Sequence, residues 1–211
     1  MSKETQAVSG GPGRMYRGVS EEVRRAERRQ KLVETAIEAF GTRGIRHVSL
    51  REICAAAGYT PRYFYESFAD LDELMAAMVE ELLQRLVDDL RAALVSGPNS
   101  DPEQLARRMV RAYLEFLRKD ARVTRILMIE IYGIGLDMDR LANRFMLTLG
   151  PEFEPLLALQ QQWSLPRRAS KGLVATGVLG AMVFIGTRWV STGFGAPIES
   201  VTDSCMSFLS R

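Results

Sequence analysis

Two helix starts separated by a break of only two residues constrain this chain more than any other feature. Ser49-Leu50-Arg51-Glu52 has the spacing of a capping box, in which the Ser49 hydroxyl takes a free backbone amide and the Glu52 carboxylate reaches back to the cap. Leu50, Ile53, Cys54 and Ala57 give the helix that follows an apolar face, and Gly58 ends it after about two turns. Thr60-Pro61 is a second start, a hydroxyl N-cap followed by proline at the first helical position. Only Gly58 and Tyr59 lie between the two, the tight turn of a helix-turn-helix. An earlier amphipathic helix carries Val33, Ala36, Ile37 and Phe40 behind the basic run Arg24, Arg25, Arg28, Arg29, and Gly41 and Gly44 are expected to end it at positive φ.

The helix opened by Thr60-Pro61 runs to Phe68 and holds four aromatic residues. Phe64 and Phe68, four apart, face the core; Arg62, Tyr63, Tyr65, Glu66 and Ser67 are left outward or sideways. A guanidinium, two phenols and a hydroxyl on so short a helix suit phosphates and base edges in a major groove. The residues expected to meet DNA are therefore Arg46, His47, Ser49, Arg51, Thr60, Arg62, Tyr63, Tyr65 and Ser67. For His47, phosphate contact and plain exposure are equal alternatives.

Leu32-Val33-Glu34-Thr35-Ala36, Phe40, Gly44, Val48-Ser49-Leu50-Arg51-Glu52-Ile53, Ala57-Gly58-Tyr59, Phe64-Tyr65, Phe68 and Leu74 together resemble the TetR family of bacterial transcriptional regulators. The resemblance implies an all-α homodimer of about nine helices, with an N-terminal DNA-binding domain, a C-terminal inducer-binding domain and a four-helix interface built from the last two helices of each copy. One position departs from the family. Leu71 stands where the family usually has a phosphate-binding lysine, between Asp70 and Asp72.

Charge is distributed in keeping with that division. Residues 1–69 hold 12 Lys/Arg against 8 Asp/Glu (+4), and residues 70–211 hold 16 against 18 (−2), so the positive end coincides with the helix-turn-helix. Residues 1–19, polar and glycine-rich, are expected to form a flexible arm rather than a signal peptide, which makes cytoplasmic localisation the expectation. Residues 20–70 are then the DNA-binding domain, and 71–211 the ligand-binding and dimerisation domain. Cys54 and Cys205 are read as small core residues. No metal cluster and no cofactor motif is evident.

Beyond Asp70 the pattern is helical almost throughout. Leu74, Met78, Leu82, Leu86 and Leu90 stripe a long fourth helix; Asp101-Pro102 opens a fifth; a sixth runs through Ile126 to Ile131; a seventh spans about Asp137 to Trp163. The eighth, from Pro166 to about Ser191, has no charge between Gly172 and Thr187, a stretch too short for the ~20 residues of a membrane span. Its small residues suit close packing against a second copy, so Gly177, Gly180 and Phe184, with Val201 and Phe208 of the last helix, are expected at a dimer interface. Met78, Leu82, Tyr113, Phe116, Met128, Ile131, Tyr132, Phe145, Met146, Met182 and Phe184 are the candidates to line an adaptable pocket for an apolar or amphipathic inducer. Glu115 and Glu130 either bind a cation or sit in solvent. The expected function is a ligand-responsive repressor on a near-palindromic operator in double-stranded DNA; an enzyme using the C-terminal cavity, or an adaptor with a vestigial DNA module, are the alternatives. A single histidine, His47, and the lack of a nucleophile-base grouping weigh against the enzyme.

Overall fold

A computed structural model describes residues 13–95, 101–130, 168 and 170–209, with the side chains of 13–19, Lys171, Gly172 and Ala175 excepted. All regular structure among them is helical: α1 (Gly13–Arg43), a 3-10 turn (Ile45–His47), α2 (Leu50–Ala57), α3 (Pro61–Tyr65), α4 (Leu71–Val95), α5 (Pro102–Lys119), α6 (Ala121–Met128), α7 (Lys171–Ser191) and α8 (Ile198–Met206). The seventh helix read from the sequence, with Ile131, Tyr132, Phe145 and Met146, lies outside the described residues.

Helix α1 is much longer than its apolar stripe. It begins at Gly13, inside the stretch expected to be an arm; a helix nucleated by packing at Leu32, Val33, Ala36 and Phe40 extends at little cost through the Glu, Arg, Ala, Gln and Lys residues of 21–31. It also continues past Gly41. Only Gly44, at φ 88°, has the left-handed backbone expected of a terminating glycine. Gly41 is helical and answers a different need: a Cβ there would collide with the Cβ of Arg122 on α6.

Helix α4 packs against both α1 and α5 and so joins the two halves of the molecule. Its apolar stripe, Leu74, Met78, Leu82, Leu86 and Leu90, is almost wholly buried, and each such side chain contributes roughly 1.5–3 kcal/mol. The acidic corner ahead of it is a reciprocal cap. Asp70 accepts from the Glu73 amide at 2.8 Å, while the Glu73 carboxylate accepts from the Ala69 amide at 2.7 Å. Leu71, half-buried, packs onto the core from this corner.

Helix α7 starts at Lys171 rather than Pro166, with the Ser170 hydroxyl accepting from the Leu173 amide. Trp189 fastens it to α8: its indole N–H donates to the Ala196 carbonyl at 2.8 Å, and its ring meets Phe194 edge-on at 4.9 Å. None of the described helices is long and apolar enough to cross a membrane.

Candidate nucleic-acid interface

The helix-turn-helix is built as its sequence prescribes. The Ser49 hydroxyl accepts from the Glu52 amide, the Glu52 carboxylate accepts from the Ser49 amide at 2.8 Å, and Arg43 donates to the same carboxylate at 2.7 Å. The Ser49 backbone N–H, then the Ser49 hydroxyl and Arg43, hold the Glu52 carboxyl at about 2. Because this folded value lies below the ordinary 4.5, the box contributes fully above about pH 4.5 and is lost as pH falls through about 2. A carbon-detected NMR titration of Glu52 should show a midpoint near 2; a midpoint in the ordinary glutamate range would mean that the box is open in solution. Ser49→Ala should cost about 0.5–2 kcal/mol, read by thermal melting. At the other end of α2, Gly58 at φ 77° turns the chain into α3.

Helix α3 is clamped from below. Phe64 and Phe68 are almost wholly buried with ring centroids 5.7 Å apart, and the Arg29 guanidinium lies 4.5 Å over the Phe68 ring. Their rigidity fixes the outer edge. Arg62 leaves 87% of its side chain exposed, Tyr65 is 61% exposed and Tyr63 is 43% exposed, so one guanidinium and two phenols project from a backbone that has little freedom to move. Arg46, His47, Ser49, Arg51 and Thr60 are exposed around the same corner.

Two expectations need correction. Ser67 is buried, and its hydroxyl donates to the Tyr63 carbonyl at 3.2 Å, because the turn after Tyr65 rolls it beneath the helix. Thr60 occupies the N-cap position but makes no side-chain cap bond; Pro61 already removes one of the amides that such a cap would serve.

Sequence reasoning missed the fastening of this unit to the C-terminal helices. The Glu130 carboxylate accepts from the Ile45 amide at 3.1 Å and from Arg125 Nε at 2.9 Å, and Arg125 Nη1 donates to the Thr42 carbonyl at 3.0 Å. Arg122 pairs with Glu38 on α1 and with Asp120, whose carboxyl it pulls below the usual range. Helix α6 thus caps the C-terminus of α1 and holds the turn leading into α2. Glu130 is neither an empty cation site nor solvated, and Glu115 pairs with Arg111. Eighty-five residues separate Ile45 from Glu130, so no local spacing could have shown the contact.

Of the candidate pocket residues, Met78, Leu82, Tyr113, Phe116, Met128 and Met182 are buried where α4, α5, α6 and α7 converge. The Tyr113 hydroxyl lies 3.9 Å from Met128 Sδ and also abuts Gly186, where a Cβ would come within 2.6 Å of it. Phe184 does not line this region: it is 73% exposed on the opposite face of α7. Gly177 and Gly180 share that exposed face, as does Leu173, so α7 is not enclosed on all sides by the described residues. Phe208 is half-exposed. Val201 is buried at 6% and packs inward, because it lies on the inner side of α8 with Cys205.

A short, clamped helix with a basic and phenolic outer edge, entered through a tight turn from a capped partner helix, defines a helix-turn-helix DNA-binding protein. Residues 32–78 match the model of the bacterial regulatory proteins of the tetR family. The match places a tetR-type DNA-binding region in this chain. Its fold is similar to that of the fatty acid degradation regulator FadR from Bacillus halodurans (TM-score 0.69, 16% identity, 86% of this chain and 97% of that one). It is similar also to the transcriptional regulator FadR from Bacillus subtilis, solved in complex with stearoyl-CoA (0.71, 13%, 86% and 97%). A tetR-family transcriptional regulator from Streptomyces coelicolor is a third match (0.66, 22%, 87% and 79%).

Proposed function

We propose that this regulator is a cytoplasmic homodimeric repressor that binds a near-palindromic operator and leaves it when an apolar or amphipathic small molecule enters the C-terminal helices. The observation that carries the reading is the edge of α3, where Arg62, Tyr63 and Tyr65 project from a base held by Phe64 and Phe68. Two copies of α3 would enter successive major grooves about 34–36 Å apart. The buried, methionine-rich meeting of α4 to α7 supports an adaptable ligand site, and the stearoyl-CoA bound by one structural relative makes long-chain acyl thioesters the first class to test.

Helix α6 supplies a route between ligand and DNA. Met128 faces the proposed ligand site, while Arg122, Arg125 and Glu130 hold the end of α1 and the amide of Ile45. A ligand that favours a shifted α6 would pull the turn before Ser49 and change the spacing of the two α3 helices. No reaction is assigned. His47 is exposed in the DNA-binding half, and burial pushes the Cys205 thiol up to about 11, leaving it a poor nucleophile.

A gel shift on the promoter region adjoining its own gene tests the reading. Tyr63→Ala should weaken operator binding by about 1–3 kcal/mol at fixed salt while the fold is kept. Unchanged affinity for both Tyr63→Ala and Arg62→Ala would remove α3 from recognition.

A further inference from the structure

The stretch of α1 from Ser20 to Arg28 precedes the matched residues 32–78, and although most of its side chains are exposed it has a neighbour. It lies beside α3, and a notch of about 390 Å³ opens between the two helices, lined by Ser20, Glu21, Arg24, Arg28, Tyr63 and Glu66. Arg28 is drawn into this notch. Only 19% of its side chain is exposed, its guanidinium lies 5.3 Å from the Tyr63 ring centroid, and its Nε is buried with no hydrogen-bond partner. An unsatisfied guanidinium N–H under a protein surface is costly, and an anion that draws Arg28 toward it relieves that cost.

The partner of Arg28 within the chain is a weak one. Glu66 stands 3.6 Å from Arg28 Nη2 and 3.4 Å from Arg62 Nε, so a single carboxylate on α3 is shared between two arginines without a close bond to either. Arg24 adds a second guanidinium at the exposed mouth, with Nη2 3.4 Å from the Ser20 hydroxyl. No basic side chain stands at the start of α4, where Asp70, Leu71, Asp72 and Glu73 are found, so positive charge around α3, beyond its own Arg62, comes from α1, from α2 and from the turn before it.

We propose that this notch is a DNA-backbone site in which Arg24 and Arg28 grip a phosphate that replaces the Glu66 carboxylate. The inference rests on the DNA-binding role of α3. When Tyr63 reaches a base edge, the sugar-phosphate strand passes the mouth of the notch, and a tetrahedral anion there meets the fork of Arg24 together with the Arg28 Nη2 that Glu66 gives up. Glu21 and Glu66 balance the two guanidiniums in the free protein, so a small free anion gains little. A docked polyanion gains more, because releasing its condensed counterions adds to the charge pairing. Glu66 in this arrangement is a placeholder, holding Arg28 and Arg62 ordered until DNA arrives.

The test uses the full-length protein and two fluorescent duplexes, one of random sequence and one carrying the promoter adjoining its own gene, with affinity followed by anisotropy across a salt series. Arg24→Gln should weaken both duplexes alike and flatten the plot of log affinity against log salt by about 0.9, the value of one lost phosphate contact. Arg28→Gln should do the same, and Arg28→Lys should restore part of the slope. Glu66→Gln should tighten random-sequence binding and narrow the gap between the two duplexes. If Arg28 only props Tyr63, Arg28→Gln will weaken binding with the slope intact; that result, with an unaltered slope for Arg24→Gln, overturns the proposal while leaving α3 as the reading helix. A wild-type protein that binds neither duplex overturns both.

Discussion

Gly180→Arg is expected to leave the folded chain intact and to abolish its tight binding to DNA. Among the described residues nothing lies within 4 Å of a Cβ at Gly180, and Gly177 is equally open, so a side chain can leave the backbone there without a clash. The surface they share is far from polar: Leu173 is 75% exposed and Phe184 73% exposed on the same helix, with no charged residue between Gly172 and Thr187. Such a face on a lone copy is an aggregation risk that a second copy removes. In the proposed dimer a guanidinium placed there would be buried without a partner, at a cost that separates the two copies. DNA binding should fall by about 10²–10⁴, the avidity lost when two half-sites are no longer held by one molecule. Light scattering and melting, run together, separate the outcomes. A soluble Gly180→Arg dimer with full operator binding would place the interface elsewhere, and a variant that fails to melt cooperatively would mean that Gly180 packs inside one chain.

The helix-turn-helix was legible in the sequence because its determinants are local. Ser49 and Glu52 sit three residues apart, Gly58 marks its own left-handed turn, and Phe64 and Phe68 share a face by spacing alone. Ser67 escaped the same logic. Counting positions around a helix put it outside, but regular helix ends at Tyr65, and the turn that follows carries the hydroxyl under the chain. Val201 and Phe208 carried one expectation, a dimer interface, yet Val201 is buried within the chain and Phe208 is half-exposed: both are apolar, and pattern alone does not say which side of this segment meets α5 of the same chain and which meets solvent.

What lay beyond reach was every contact between elements distant in sequence. Glu130 and Arg125 look like ordinary surface charges until the fold brings them to Ile45 and Thr42. Arg28 is one of four arginines in a basic run, and nothing in that run distinguishes the one whose Nε is buried beside Tyr63. Gly41 was visible but misread. A glycine near a helix end suggests a cap, whereas here the missing Cβ is what admits another helix.

That close approach makes Gly41 a sensitive position between the two halves of the molecule. An added methyl at Gly41→Ala would strike Arg122 Cβ and come within 2.8 Å of Arg122 Cα and 3.0 Å of its carbonyl carbon, atoms that cannot rotate aside. Helix α6 must then shift as a body, at a cost of about 1–3 kcal/mol, or about 2–4 °C in Tm per kcal/mol for a chain of this size. The functional loss should be larger than the loss of stability. Moving α6 disturbs the Arg122 pair with Glu38, the Arg125 cap on Thr42 and the Glu130 bond to Ile45 together, and these fix the turn that leads into α2. Gly193→Ala is the control: φ there is 66° and among the described residues nothing lies within 4 Å of the added Cβ, so it carries backbone strain of about 1–2 kcal/mol outside the contact between α1 and α6. Measured well below both melting temperatures and without ligand, Gly41→Ala should bind operator far more weakly than Gly193→Ala does. Equal affinities would show that the contact between α1 and α6 stabilises the fold without setting the position of α3.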